Sequence, residues 1–149
     1  TVTLSIECKT VLENLSVLDP ALKAGDFVPE DGVILPCTRY VLRPGDTVYD
    51  ILSRAVRYNK IQMEYQGADK NSFSSVYIKG INYLYEFSCG PLSGWMYTVN
   101  GIFPQYGCSK YELSDGDRIE WVYTCDLGRD VGCIWMQNAQ NARQTEEQK

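Results

Sequence analysis

The chain has 149 residues, a hydrophobic share of 44%, a net charge of −5 and no His. That length suits one domain, which at this size buries roughly 68–70% of its unfolded surface. The acidic balance, with no clustered basic run, argues against nucleic acid, whose phosphates demand grouped Lys and Arg, and against an anionic membrane surface; no apolar run nears the ~20 residues that span a bilayer.

Residues 1–8 alternate, with Val2, Leu4, Ile6 and Cys8 on one face and Thr1, Thr3, Ser5 and Glu7 on the other. Period two over that length is a half-buried strand. Because the chain opens directly on this strand, it reads as a mature or trimmed form whose export segment has been left off. A short apolar-periodic piece (Val11, Leu12, Leu15, Leu18) follows and stops at Asp19-Pro20; Pro29-Glu30-Asp31-Gly32 is a turn. Asn14-Leu15-Ser16 fits the N-glycosylation sequon, a match short enough to arise by chance. A second strand runs through Ile34–Leu42, and Pro36 inside it favours a sheet edge, where a missing N–H does no harm.

One convincing helix comes next. Asp46 or Thr47 can cap it, and Val48, Ile51, Leu52, Ala55 and Val56 form a single apolar stripe opposite Asp50, Arg54 and Arg57. Ile61, Met63 and Tyr65 alternate as a third strand, and residues 75–87 hold one or two more, broken near Gly80. Trp95–Val99 and a run from Phe103 are joined by Asn100-Gly101, a strong hairpin signal because both residues tolerate positive φ. Ser114-Asp115-Gly116-Asp117 is a turn, and Ile119, Trp121, Tyr123 and Cys125 share one face of a last strand. L-x-x-G-D-x-[VI] occurs twice, at Leu42–Val48 and Leu113–Ile119, as shared turn chemistry. Residues 137–149 are polar and read as a flexible tail, so the domain is expected to span residues 1–136.

This order predicts an α+β fold: a β-grasp-like mixed sheet, its first and last strands parallel neighbours, with one amphipathic helix packed on one face. Six cysteines without C-x-x-C spacing read as three disulfides in an oxidising exterior; the alternative is free buried thiols in a cytosolic protein. Cys8 with Cys125 and Cys89 with Cys108 suit the predicted strands, leaving Cys37 with Cys133. Cys8–Cys37 with Cys125–Cys133 is the main rival.

The chemistry points away from catalysis. Without His, Ser-His and Cys-His dyads are excluded. Asp115, Asp117 and Glu120 do not meet EF-hand spacing, and no metal ligand set or phosphate loop is present. The aromatic hairpin is the remaining candidate. Trp95, Tyr97 and Val99 point one way on an extended strand, Met96 and Thr98 the other. Trp95, Tyr97, Phe103 and Tyr106 are therefore the candidate ligand-binding residues, weighed against a core role that fits Trp95 and Val99 best.

Residues 86–132, EFSCGPLSGWMYTVNGIFPQYGCSKYELSDGDRIEWVYTCDLGRDVG, resemble a family of secreted bacterial domains of unknown function related to the C-terminal domain of the vitamin carriers transcobalamin and intrinsic factor. VPEDGVI and LRPGDTVYDIL resemble that family's front half. The resemblance implies a β-grasp-like fold, an extracytoplasmic or cell-surface location and no catalysis, with cobalamin or a related corrinoid as a ligand inherited from relatives. The expected function is a non-enzymatic extracellular module binding a soluble small molecule. The alternative is a structural or adhesive module of a larger surface protein, contacting protein or glycan.

Overall fold

The computed structural model describes residues 1–23, 27–68 and 75–133. The opening alternation becomes strand β1 (Val2–Glu7), whose even-numbered residues are buried. One-turn helices α1 (Lys9–Leu12) and α2 (Pro20–Lys23) follow, then β2 (Val33–Tyr40), helix α3 (Val48–Tyr58), and strands β3 (Met63–Gln66), β4 (Tyr77–Ile81), β5 (Leu84–Tyr85), β6 (Gly94–Val99) and β7 (Arg118–Thr124). The strands form a four-stranded sheet in the order β2-β1-β7-β6 and a three-stranded sheet in the order β3-β4-β5. The protein is a mixed α+β fold.

The first and last strands run parallel side by side, with Leu4 opposite Ile119 and Ile6 opposite Trp121. β2 is the outer strand beside β1, and its register with β1 shifts between Leu4–Thr38 and Ile6–Leu35, the stretch that holds Pro36. An edge is where a residue without an N–H is tolerated. α3 starts on a full capping box: the Thr47 hydroxyl accepts from the Asp50 N–H while the Asp50 carboxylate accepts from the Thr47 N–H at 2.8 Å. Its stripe of Val48, Ile51, Leu52, Ala55 and Val56 is buried. That stripe shares one core with Val2, Leu4, Ile6, Ile119, Trp121 and Tyr123.

Two local expectations change. The break after β4 falls at Asn82 and Tyr83, both with positive φ, not at Gly80. Gly80 lies inside β4, where a Cβ would stand 2.5 Å from Cδ1 of the Tyr85 ring across the ladder. The Asn100-Gly101 turn forms, with φ of 54° and 82°, and Val99 and Ile102 exchange both backbone hydrogen bonds across it. The returning strand is nevertheless a single bridge at Ile102. Pro104, two residues on, has no N–H to continue a ladder, and β6 instead pairs along its length with β7.

The disulfide staple is not seen: among the described residues no two cysteines stand at bonding distance. Cys37 is on outer strand β2, whereas Cys133 packs against Met96 and Val122 on β6 and β7. The Cys89 thiol donates to Asn14 O, and the Cys108 thiol donates to Val76 O, so they occupy different surroundings. Cys8 is the N-cap residue of α1 at the end of β1 and is buried. Ile134-Trp135-Met136 and the tail 137–149 lie outside the described residues.

Candidate functional site

Of the four aromatic candidates, two face the core. Trp95 stacks edge-on against Tyr123, with ring centroids 5.2 Å apart, and its Nε1–H donates to Leu84 O at 2.8 Å. Tyr97 packs against Trp121 and Tyr111, and its hydroxyl donates to Tyr106 O at 2.6 Å. Both are 9% exposed, and burial holds the Tyr97 hydroxyl above its ordinary pKa. Tyr106 is 64% exposed beside Tyr111. Phe103 lies on the opposite side of the large sheet, against Met96, Val122, Val131 and Cys133. The four rings therefore do not form one surface.

The sheet's outer face, away from α3, carries a concavity. Strand alternation decides what lies there: Glu7 on β1 is opposite Val122 on β7, which is opposite Met96 on β6; Ser5 is opposite Glu120, which is opposite Thr98. A groove of about 450 Å³ crosses this face, walled by Lys9, Thr10 and Glu13 of the α1 segment, by Asp130 and Val131, and by Gly101 and Phe103 past the β6 turn. Glu7, Glu120, Thr98 and Val122 line it from the sheet.

Its charges are unequally committed. Glu120 accepts from Arg118 Nε at 2.9 Å, and Glu7 accepts from the Lys9 N–H at 2.9 Å. Asp130 bonds the Thr124 hydroxyl and accepts from the Cys125 N–H at 2.8 Å, which pins the single 3-10 turn Arg129–Val131 onto the end of β7. No such partner is seen for the Glu13 carboxylate among the described residues. Four carboxylates against Lys9 make the groove electronegative. The Thr98 hydroxyl is the other uncommitted group. Thr98 is 6% exposed, and its Oγ1 has no hydrogen-bond partner among the described residues. A buried hydroxyl normally finds one.

The wall is braced from behind. Thr10 Oγ1 donates to Tyr123 O at 2.5 Å, and Asn14 Nδ2 donates to Thr10 O at 2.8 Å. Burial pushes the Cys8, Cys108 and Cys125 thiols up to about 12. They stay protonated near neutral pH, which suits structural thiols and not a nucleophile. Among the described residues no group of three or more Cys, Asp and Glu is placed to hold a metal ion, and no helix is long and apolar enough to cross a membrane.

A family description, "Domain of unknown function (DUF4430)", matches residues 45–125, more than half of the chain. The chain belongs to that family. Its matched span opens at the α3 cap and ends at Cys125, taking in Phe103, Thr98 and Glu120 but not the α1 wall. Among solved structures, the chain is similar to a "putative metal binding protein" from Ruminococcus gnavus ATCC 29149, with a TM-score of 0.50 at 10% identity over 83% of this chain and 94% of that one. At such identity the likeness concerns the fold alone. No curated protein matches the sequence.

Phe103 was legible from sequence as a ring just past a tight turn. Glu7, Glu13, Thr98 and Asp130 were not. The available signal was the polar side of the β1 and β7 alternation together with Thr98 on the back of the GWMYTV strand. Nothing in the sequence shows that these rows adjoin.

Proposed function

We propose that this is an extracellular, non-enzymatic module that binds a soluble small molecule in the outer-face groove. The observation that carries the reading is the buried, unpartnered Thr98 hydroxyl in an acid-lined groove that also presents the Phe103 ring. Small-molecule sites combine an apolar wall with a few convergent polar groups, and an uncommitted hydroxyl is a hydrogen bond held in reserve. The absence of His and the protonated thiols favour binding over catalysis. The parallel β1–β7 pair with α3 across it supports a β-grasp reading, and with the motif resemblance it supports kinship with the transcobalamin C-terminal domain. The resemblance supports a secreted bacterial origin and an oxidising exterior. The electronegative lining favours a ligand with amine or amide donors; a corrinoid, rich in amides, would lay one face on the groove.

Calorimetric and absorbance titration with cobalamin, cobinamide and small diamines tests the proposal. Saturable binding of one of them is expected, weakened in Phe103→Ala and Glu120→Gln and retained in Tyr106→Ala. No binding by any of them up to millimolar concentration overturns it. Binding that survives both groove substitutions overturns the location.

A second reading, an adhesive or structural module, is favoured by the exposed rings Tyr65, Tyr77, Tyr83 and Phe87 on and beside the three-stranded sheet. Retention on immobilised glycan or surface protein, abolished by Tyr83→Ser with Phe87→Ser and indifferent to Phe103→Ala, would select it.

A further inference from the structure

The α1 segment has a second side. Lys9, Thr10 and Glu13 line the groove, while the same few residues receive two thiols from distant parts of the chain. The Cys125 thiol, just past the end of β7, lies 3.6 Å from Thr10 Oγ1. The Cys89 thiol, from the loop between β5 and β6, lies 3.5 Å from Asn14 O. Asn14 Nδ2 in turn donates to Thr10 O, so the two sulfurs approach one turn of backbone, and each thiol perturbs the titration of the other. Cys89 is 2% exposed. Cys8 sits at the N-cap of α1, and the Cys108 thiol donates to Val76 O.

We propose that Cys89 and Cys125 form a disulfide in the oxidised protein, clamping the α1 wall of the groove between the β5–β6 loop and the end of β7. The oxidant is a low-molecular-weight disulfide, RSSR. The thiolate of one cysteine attacks an RSSR sulfur, releasing RS⁻ and leaving a mixed disulfide. The second cysteine, as thiolate, attacks the protein sulfur of that mixed disulfide and releases the other RS⁻. The two thiol protons end on the two RS⁻, so the dithiol is oxidised by two electrons and RSSR is reduced to two RSH. Cys89 is buried and Cys125 half-buried in the folded protein, so the bridge closes most readily while the chain folds, when both thiolates are accessible. Loop closure then ties residues that are far apart in sequence, the case in which a cross-link restricts the unfolded chain most. The clamp is independent of any ligand, and its test does not depend on the groove binding anything.

The whole chain is refolded from urea in glutathione disulfide, alkylated with iodoacetamide and mapped without reduction. Trypsin, cutting after Lys79, Lys110, Arg118 and Arg129, leaves Cys89 and Cys108 on one peptide, so chymotrypsin is added to separate them within the aromatic run 95–106. A cross-linked pair carrying Cys89 and Cys125 is expected, with Cys108 alkylated. Cys89 joined to Cys108 or to Cys8, or Cys89 and Cys125 both alkylated, overturns the proposal. As a second readout, oxidation should raise the urea midpoint of the wild-type chain and leave that of Cys125→Ser unchanged; an equal rise in Cys125→Ser also overturns it.

Discussion

Thr98 offers a test in which stability and binding move in opposite directions. Replacing it by Val swaps the hydroxyl for a methyl of similar size in a position that is 6% exposed. Burying a hydroxyl without a partner costs about 1–3 kcal/mol relative to a paired state, and Oγ1 has no partner among the described residues. Val also suits a strand as well as Thr does. Taking the low end, Thr98→Val should stabilise the folded protein by about 1 kcal/mol, a rise in Tm of about 2–4 °C for a domain of this size. The same change removes one ligand hydrogen bond of ~0.5–1.5 kcal/mol, which weakens the Kd roughly 2–10-fold. Thr98→Ser, which keeps the hydroxyl but loses a methyl, should lower stability and leave more of the affinity. Urea denaturation and calorimetric titration on the three proteins check this. A loss of ~1 kcal/mol or more in Thr98→Val, on the scale of a broken hydrogen bond, would show that the hydroxyl is already satisfied, and the groove would lose its main argument.

Other outcomes are equally concrete. Asp46 pairs with Arg54 and accepts from the Arg43 N–H, and the hydrogen bond from Arg54 holds its carboxyl below the ordinary value. With the folded pKa below the unfolded ~3.9, the stabilisation is complete above that value and is lost as pH falls through the folded one. Urea midpoints should therefore drop on acidification below about pH 4, and Asp46→Asn should flatten part of that drop while lowering stability at pH 7. Gly80→Ala places a methyl 2.5 Å from the Tyr85 ring; it should cost about 1–3 kcal/mol, as overpacking does, and almost nothing in a Tyr85→Ala background. A full cost in that background would show that the glycine serves its backbone and not the ring. Thr47→Ala should lose about 1 kcal/mol of cap energy by thermal denaturation, and Thr47→Ser should recover most of it.

What could be read from sequence was whatever depends on neighbours a few residues apart. The α3 stripe, its Thr47 cap, the β1 and β7 alternations and the Asn100-Gly101 turn all came through, because periodicity and positive-φ tolerance are local properties. The placement of the parallel β1–β7 pair followed from the order of the elements, two strands, a helix, then further strands. The failures also have local causes. Gly80 reads as a break because glycine commonly marks one, whereas its task is to leave room for a ring five residues on. The hairpin signal was right for the turn and wrong for the returning strand, because Pro104 ends the ladder there.

The amino-acid sequence by itself determined the α+β class, the buried stripe of the helix and the inward faces of β1 and β7, since side-chain period dictates these wherever the chain folds. Tertiary structure alone decided that Glu7, Glu120 and Thr98 form adjoining rows, that Phe103 leaves the other rings to join them, and that Cys89 and Cys125 both reach the α1 segment. Those meetings depend on strand order and register, which bring together residues from opposite ends of the chain and leave no mark on any short stretch of it.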